Sequence, residues 1–376
     1  MLRLGRLHYV GRAAAGAARR GPVGAVVQGF RLLSPAVTAR RLIGILLAIN
    51  ALLLGVGAVI VPSSAREQGK GVHVGLVFDI GGKNDKSFNE AAWRGLMRAQ
   101  AELGVETRFI EPTEGSDRES ALRTLATKKF DLIIGVGFIF GPDLERLARQ
   151  FPDVKFAGID YSPSEGVGTL PNLAGLRFRE HEGSFLVGAI AGLVTRTKVV
   201  GFVGGMKIPL IHKFEVGYAA GVHRVCPACR VVAAYAGTEP KAFADPSLGQ
   251  ELAAAQYGQG ADIIFHASGK TGDGVFAAAR QRGARAIGVD SDQFDAAPCC
   301  VVTSMVKRVD VAVVDIVKDV IAGKFRGGIH ELGLAEHGVG FVADERNRSM
   351  LPIDVVEKVN ALAEQIIAGK IRVPSE

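Results

Sequence analysis

The stretch that decides the fold is Val74-Gly-Leu-Val-Phe-Asp79-Ile-Gly-Gly-Lys-Asn-Asp85-Lys-Ser-Phe-Asn-Glu90-Ala-Ala-Trp93. Residues 72–78 are mostly β-branched or apolar, and this run stops at Asp79 and a glycine pair, which is typical of a buried strand that ends in a turn. Ser87 and Glu90 have the spacing of a capping box, so the turn is predicted to lead into a helix. A strand, a glycine turn and a helix in this order favour an open α/β fold, which binds ligands at the carboxyl ends of its strands.

The chain after residue 72 keeps alternating between apolar strand-like runs and amphipathic helical runs, as βαβ units do. The first series is predicted to contain strands at 72–78, 105–110, 131–136, 154–159 and 173–178, with helices near 87–103, 117–128 and 142–150. The second is predicted to contain helices near 181–195, 212–224, 247–258 and 272–282, with strands at 198–203, 230–235, 261–265 and 284–289. A strand and a long helix within 300–325, a strand region near 330–342 and a helix near 352–369 follow. The pattern predicts two doubly wound α/β lobes.

The positive charge of the chain comes from its amino-terminal region. The formal net charge is +7, and residues 1–41 contain eight arginines and no acidic residue, so the rest of the chain has a net charge of −1. A nearly neutral body offers no general basic surface, so nucleic-acid binding is not expected to be the main activity.

An apolar run follows the basic leader. Residues 42–61 carry no charge, and Ser63-x-Ala65 resembles a small-residue cleavage site, so residues 1–65 are predicted to be a basic leader with a signal peptide. The run is also long enough to span a bilayer, so an uncleaved membrane anchor is the alternative. No cysteine lies near its end, so a lipoprotein processing site is not predicted. The body is expected in the periplasm, tethered to the inner membrane if residues 42–61 are retained.

The four cysteines form two local pairs, Cys226-Pro-Ala-Cys229 and Cys299-Cys300. In an oxidising compartment they are expected to form disulfides, but four cysteines allow three connectivities and the sequence does not choose among them. A zinc site from both pairs is a weaker alternative, because no histidine stands at ligand spacing beside either pair. A redox-active Cys-x-x-Cys is also disfavoured, because the motif precedes a strand instead of opening a helix.

Several predicted strands end in carboxylates or glycine turns. Gly158-Ile-Asp160 and Gly288-Val-Asp290 close strands of the two series, and Ser268-Gly-Lys-Thr resembles a phosphate loop whose first glycine is replaced by Ile264. No nucleophile elbow, paired histidines or catalytic cysteine setting is present in the sequence, so neither a metal site nor a cofactor is predicted. An enzyme would have to rely on carboxylates alone.

Together these segments resemble the basic membrane protein family of substrate-binding proteins of ABC transporters, whose best understood members are purine nucleoside receptors. The resemblance covers residues 72 to 343 and rests on Asp79-Ile-Gly-Gly, Asp85-Lys-Ser-Phe-Asn89, Gly204-Gly-Met-Lys-Ile-Pro209, Phe243-Ala-Asp-Pro246, Gly272-Asp-Gly-Val-Phe276, Ile287-Gly-Val-Asp-Ser-Asp-Gln293 and Thr303-Ser-Met-Val-Lys307. It implies a type I periplasmic binding protein fold, with two α/β lobes joined by a three-crossing hinge. Residues 71–180 and 301–327 are assigned to the first lobe, and residues 181–300 and 328–376 to the second.

The resemblance also implies a set of ligand-binding residues. Phe88 and Phe243 match the two aromatic rings that sandwich the base, and each could instead be a core residue. Asp290 and Lys307 match the ribose-binding pair, because a carboxylate accepts from two hydroxyls and an amine donates to ribose oxygens. Asp79, Asp160 and Asn89 match polar positions of the first lobe and could instead cap turns. Trp93 and Phe214 are interpreted as core residues.

The sequence therefore predicts a monomeric, non-enzymatic receptor that binds a nucleoside-like small molecule and delivers it to an ABC permease in the inner membrane. A nucleoside-hydrolysing enzyme that uses the same carboxylates and a membrane-anchored nucleoside sensor are the alternatives.

Overall fold

The computed structural model describes residue 69, residues 71–112 and residues 117–376. The predicted leader and the apolar run of residues 42–61 lie outside the described residues. Within the described part, the strands form two sheets of six. No helix there is both long enough and apolar enough to cross a bilayer.

The first sheet has the strand order β2-β1-β3-β4-β5-β11, and all of its neighbours are parallel. Its strands are β1 (His73–Val77), β2 (Glu106–Ile110), β3 (Leu132–Val136), β4 (Lys155–Ile159), β5 (Leu173–Phe178) and β11 (Gly328–Leu332). Its helices are α1 (Phe88–Leu103), α2 (Arg118–Thr127), α3 (Gly141–Gln150) and α8 (Val309–Ile321).

The second sheet repeats this plan with the order β7-β6-β8-β9-β10-β12, in which only the edge strand β12 is antiparallel to its neighbour. Its strands are β6 (Val199–Met206), β7 (Arg230–Gly237), β8 (Ile263–Ala267), β9 (Arg285–Asp290), β10 (Val301–Lys307) and β12 (Val339–Phe341). Its helices are α4 (Glu180–Val194), α5 (Pro209–Val225), α6 (Pro246–Gly258), α7 (Gly272–Arg282) and α9 (Ile353–Ile367).

Each sheet is covered by helices on both faces, because its strands are apolar on both sides. In β1, Val74 and Leu76 join a buried cluster with α1 and α8, whereas Val77 joins another with α2 and α3. Successive strand residues point to opposite faces, so a continuous apolar run such as β1 needs two covering layers. The sequence pattern predicted this doubly wound arrangement correctly.

The chain crosses between the lobes three times, as the fold prediction required. The crossings are β5 to α4, β10 to α8, and β11 to β12. Backbone hydrogen bonds join them, since the amide of Arg179 donates to Leu332 O at 3.1 Å and the amide of Arg308 donates to Gly338 O at 2.8 Å. The three crossings therefore form one hydrogen-bonded hinge.

Two strands lie in the opposite sheets from those expected. Residues 301–307 extend the second sheet beside β9, so only α8, which packs on α1, returns to the first lobe. Residues 328–332 pair with β5 in the first sheet, so the return to the second lobe begins after Leu332. Strand propensity marks a strand but not its partner, because pairing depends on segments far away in the sequence.

Candidate functional site

The carboxyl ends of the strands of both sheets meet around one pocket between the lobes. All seven residues proposed from the sequence line it, namely Asp79, Phe88, Asn89, Asp160, Phe243, Asp290 and Lys307. The first lobe contributes four of them, and the second contributes Phe243, Asp290 and Lys307. The fold thus brings together residues that are spread over more than two hundred positions of the chain.

The turn between β1 and α1 is held by Asp85. Its Oδ1 accepts from the amides of Ser87 at 2.9 Å and Glu90 at 3.1 Å, and its Oδ2 accepts from the amide of Asn89 at 2.9 Å. Ser87 makes no side-chain bond to the helix start, so the predicted capping box of Ser87 and Glu90 is wrong. Asp85 satisfies the free amides of the first helical turn instead.

Asn89 lines the pocket, but its side chain is occupied by the same turn. Its Oδ1 accepts from the amide of Asp79 at 3.0 Å, and its Nδ2 donates to Asp85 Oδ2 at 3.0 Å. The structure therefore gives Asn89 the role of fixing the turn that carries Asp79.

Ser87 instead reaches across to the second lobe. Its hydroxyl donates to Asp290 Oδ2 at 2.5 Å, and its carbonyl accepts from the hydroxyl of Ser291 at 3.1 Å. The side chain of Arg94 donates to Ser291 Oγ at 2.8 Å, and Gln293 Nε2 donates to the carbonyl of Lys86 at 3.1 Å. These bonds hold the start of α1 against the loop after β9, so the lobes are closed on this side.

The strand-end aspartates Asp160 and Asp290 occupy matching positions in the two lobes. Asp160 follows β4 and Asp290 ends β9, and these strands hold the same place in the two sheet orders. Both residues have positive φ, 60° and 63°, and both are 8% exposed. Asp160 Oδ1 has no hydrogen-bond partner in the described part of the chain. It is therefore a buried acceptor that a ligand in the pocket could satisfy.

Lys307, at the end of β10, is the cation around which these acids lie. Its Nζ is 2.7 Å from Asp160 Oδ2 and 3.1 Å from Glu180 Oε1, and the side chain is 2% exposed. The same Nζ lies 5.0 Å from the ring centroid of Phe88 and 5.8 Å from that of Phe214. Lys307 thus links the aromatic and acidic parts of the pocket.

The sequence analysis missed Glu180. It lies at the first crossing, is fully buried and contacts both Lys307 and the Nζ of Lys213 at 3.7 Å. A carboxylate directly after the end of a strand, in Phe178-Arg-Glu180, was the available signal. Because Lys307 and Glu180 both belong to hinge crossings, their ion pair connects the floor of the pocket to the hinge.

The surrounding acids raise the pKa of Lys307, and burial makes Asp160 and Asp290 harder to ionise. Burial alone lowers the pKa of Lys307, but Asp160, Glu180 and Asp290 more than offset this and raise it above its ordinary value. Burial raises the pKa of Asp290 to about 6, although Lys307 and the Ser87 hydroxyl oppose the shift. Burial also raises the pKa of Asp160. The site therefore contains more carboxyl groups than Lys307 and Lys213 can pair with, which suits a ligand rich in hydrogen-bond donors.

Asp79 is another buried acid on the first-lobe side. Burial raises its pKa to about 7, against the opposing effect of its hydrogen bond from the amide of Ile80 at 2.6 Å. A Cβ at Gly137 would lie 2.3 Å from Asp79 Oδ2, and the φ of Gly137 is +113°. The glycine that follows β3 is thus required to admit the carboxylate.

The aromatic lining is wider than predicted. Phe88 and Phe243 are half-buried, and the ring of Phe243 covers Gly205, where a Cβ would lie 2.3 Å from it. Phe214 is buried, as its interpretation as a core residue requires, but it also lines the pocket. Trp93 packs against the core and does not line the pocket.

The second lobe supplies a pocket wall from the turn after β8, whose Ser268 is contacted by the neutral His266. His266 is fully buried, its Nε2 contacts Gln293 Oε1 at 3.0 Å, and its Nδ1 contacts Ser268 Oγ at 3.3 Å. Burial lowers the pKa of His266 to about 4, so the ring is neutral at pH 7. Ser268 and Gly269 line the pocket, so the glycine turn that resembled a phosphate loop is part of this wall.

The cysteines form two local disulfides, Cys226–Cys229 and Cys299–Cys300. Within the described residues no cysteine is free, so neither pair provides the thiolates that the zinc alternative needs.

Two α/β lobes, a three-crossing hinge and a buried, acid-rich pocket between them define a protein of the solute-binding class. The chain belongs to the family described as Bmp, ABC transporter substrate-binding protein PnrA-like, whose sequence model matches residues 72–376.

Individual relatives agree with this assignment. The chain is 36% identical over 325 residues to the CD4+ T-cell-stimulating antigen of Listeria monocytogenes, covering 81% of this chain and 88% of that protein. It is 36% identical over 327 residues to an uncharacterised lipoprotein of Pyrococcus horikoshii, covering 80% of this chain and 79% of that protein. A crystal structure of ABC transporter solute-binding proteins from Aeropyrum pernix superposes with a TM-score of 0.72 at 34% identity, covering 81% of this chain and 94% of that one.

Proposed function

We propose that this chain is the periplasmic receptor of an ABC importer, and that it closes its two lobes over a purine nucleoside or a similar small polar ligand without altering it. The observation that carries the proposal is the composition of one pocket. Phenylalanines from opposite lobes, Phe88 and Phe243, line it together with the hydroxyl acceptors Asp160 and Asp290.

A nucleoside matches both halves of this lining. A flat base suits the apolar rings, at roughly 0.5–1.5 kcal/mol beyond area burial by analogy with aromatic pairs. Vicinal ribose hydroxyls suit carboxylates, and a hydrogen bond to a charged group contributes about 1.5–3 kcal/mol. The unpartnered Asp160 Oδ1 and the Nζ of Lys307 supply an acceptor and a donor for such a ligand.

Closure gives the permease a shape to recognise. The pocket is lined from both lobes, so a bound ligand contacts both and stabilises the closed arrangement. A monomer on the outer side of the inner membrane, where the permease lies, is the form that fits this role. Relatives described as lipoproteins support membrane tethering, and residues 42–61 are the segment of this chain suited to it.

Native mass spectrometry of the freshly purified protein tests the proposal, with Asp290→Ala as the matched control. We expect a nucleoside-sized adduct at one per chain in the wild type and its loss in the variant. Incubation with a panel of nucleosides should leave them intact. Release of free base with turnover would instead establish the hydrolytic alternative.

A further inference from the structure

The amino ends of the strands of the second sheet form a strongly basic surface on the side of that lobe away from the pocket. We call this surface the basic pole. It consists of the four connections from α4 to β6, α5 to β7, α6 to β8 and α7 to β9. Each connection is counted from the last four residues of its helix to the first residue of the following strand. These connections contain seven lysines and arginines and a single acid, Asp262. The basic residues are Arg196, Lys198, Arg224, Arg230, Arg280, Arg282 and Arg285.

None of these seven cations forms an ion pair with any residue that the structure describes. Six are exposed, and Arg285 is half-buried. The recorded bonds of Arg230, Arg280 and Arg285 go to backbone carbonyls, which leaves their charges unbalanced. The pole therefore presents positive charge that no carboxylate of the lobe neutralises.

Helix dipoles do not account for this surplus. Helices end at the amino edge of the first sheet as well, and cations near helix carboxyl ends are favourable in both lobes. The three matching connections of the first lobe, from α1 to β2, α2 to β3 and α3 to β4, contain four basic and four acidic residues. The same architecture is thus built without a charge surplus in one lobe and with one in the other.

A groove in the pole gathers three of the arginines. It is lined by Arg196, Arg282 and Arg285, together with Tyr257 and Asp262. Asp262 offsets one of these three positive charges but pairs with none of the guanidinium groups, because its Oδ1 accepts from Thr195 Oγ1 at 2.6 Å and its Oδ2 accepts from the amide of Arg196 at 2.6 Å. Arg285 is oriented by a 2.9 Å bond from its Nη1 to Val194 O. The side chains of Arg196 and Arg282 have no hydrogen bond among the described residues.

We propose that this groove is a second binding site, for a phosphate-type anion, separate from the pocket between the lobes. Guanidinium groups are planar donors that match phosphate oxygens two at a time, and three of them around one groove can share a divalent anion. The other cations of the pole attract the anion from a distance. The phosphate belongs either to a soluble phosphate compound or to the headgroup of an anionic lipid, since both present the same oxygens.

Calorimetric titration of the whole protein with inorganic pyrophosphate tests the site. The test variant is Arg196→Gln/Arg282→Gln, whose two side chains are exposed and unpartnered, so folding should be unaffected and an unchanged thermal midpoint verifies this. The matched control is Lys128→Gln/Lys129→Gln, which removes the same charge from the balanced edge of the first lobe. We expect at least a tenfold loss of pyrophosphate affinity in the test variant and wild-type affinity in the control. Binding to the wild type should weaken as the ionic strength rises to about 0.15 M.

A second arm separates the two sources of phosphate. If the wild-type protein sediments with phosphatidylglycerol vesicles but not with phosphatidylcholine vesicles, and the test variant does not sediment with either, the phosphate belongs to a lipid headgroup. Pyrophosphate binding without vesicle binding would identify a soluble compound. Absence of both, or equal binding by wild type and test variant, overturns the proposal. Neither arm depends on what the pocket between the lobes binds.

Discussion

Asp160 and Asp290 each hold a backbone conformation that few residues other than glycine adopt. A positive φ in a non-glycine residue is uncommon, though aspartate and asparagine tolerate it better than most. Such conformations persist where the surrounding structure enforces them, and they are frequent at ligand sites. Asparagine is therefore the substitution that removes either charge and keeps the local turn.

The contribution of Asp290 to sugar recognition can be measured with a ribonucleoside and its 2′-deoxy analogue. If Asp290 accepts from the 2′ hydroxyl, Asp290→Asn and Asp290→Ala should weaken ribonucleoside binding by roughly 1.5–3 kcal/mol for each charged hydrogen bond lost. Loss of the 2′ hydroxyl should then weaken ligand binding to the wild type and hardly change binding to Asp290→Ala, whereas Asp290→Asn keeps an amide oxygen as acceptor and should show an intermediate effect. Calorimetric titration completes the cycle.

Phe88→Ala is the control for that cycle. It should weaken binding of both ligands alike, because stacking contacts the base and not the sugar. Equal sensitivity of the wild type and Asp290→Ala to the missing hydroxyl would show that Asp290 does not contact it.

Asp79 should make the protein less stable as pH rises. Its pKa is raised to about 7 by burial, so the folded state holds the proton more tightly than the unfolded state, where the pKa is near its ordinary value of 3.8. Folding free energy is therefore lost between about pH 4 and pH 7. Asp79→Asn should raise the thermal midpoint at pH 8 and change it little at pH 4. A midpoint difference that does not depend on pH would contradict this account.

Removal of Lys307 should lower the free energy of unfolding, because the acids around it would stay buried. Lys307→Met leaves Asp160 buried without its cation and Glu180 with only the more distant Lys213, and loss of one partner of a buried ion pair costs about 3–5 kcal/mol. The loss should be smaller at pH 5, because Asp160 and Asp290, whose pKa values are raised, then take up protons more readily. Urea denaturation at pH 5 and pH 8 measures the difference. A larger loss at pH 5 would be inconsistent with the proposed charge balance.

At the scale of elements, hydrophobic periodicity predicted the strands and helices of the body to within a few residues at their ends. It did not predict that 301–307 and 328–332 exchange sheets, because sheet membership depends on a partner that the local pattern does not contain. The seven candidate residues, all of which line the pocket, could be named from the sequence because each belongs to a motif in one continuous stretch. Glu180 was missed because its importance comes from its contacts with Lys307 and Lys213, which belong to distant segments.

The start of α1 shows the same limit. The spacing of Ser87 and Glu90 fits a capping box, but Ser87 donates to Asp290 across the cleft and Asp85 takes the free amides. Asp85→Ala should therefore cost about 0.5–2 kcal/mol of folding free energy. Glu90→Ala, which removes only a surface ion pair with Arg94, should cost less than about 1 kcal/mol. Urea denaturation compares the two variants. A larger loss of folding free energy in Glu90→Ala than in Asp85→Ala would support the capping box instead.

At the scale of the whole molecule, net charge conceals how charge is distributed. The near-neutral body argued against a general basic surface, and the second lobe nevertheless gathers seven cations without ion pairs to described residues at one edge. The net charge of the body does not show the basic pole, because acidic residues elsewhere cancel its charge. Only the sheet order brings the four connections together.

Closure should depend on the bonds between the start of α1 and the loop after β9. Ser87→Ala/Ser291→Ala removes three of these bonds, including the one from Arg94 to Ser291 Oγ, while leaving Asp85 and its helix intact. The variant should populate a more open form, seen as a larger radius of gyration in small-angle X-ray scattering, and saturating ligand should restore the wild-type value. Identical scattering of the two proteins without ligand would show that these bonds do not hold the lobes together.

The three crossings also determine when each sheet can be completed during synthesis of the chain. One edge of strand β5 in the first sheet has no partner strand until residues 328–332 are synthesised, late in a chain of 376 residues. An unpaired strand edge is prone to pair with other chains. As the polypeptide emerges from its amino end, this edge stays vulnerable from the completion of β5 until β11 has been synthesised. A gene cut at residue 300 would encode neither sheet in full, so the two lobes cannot be produced as separate halves.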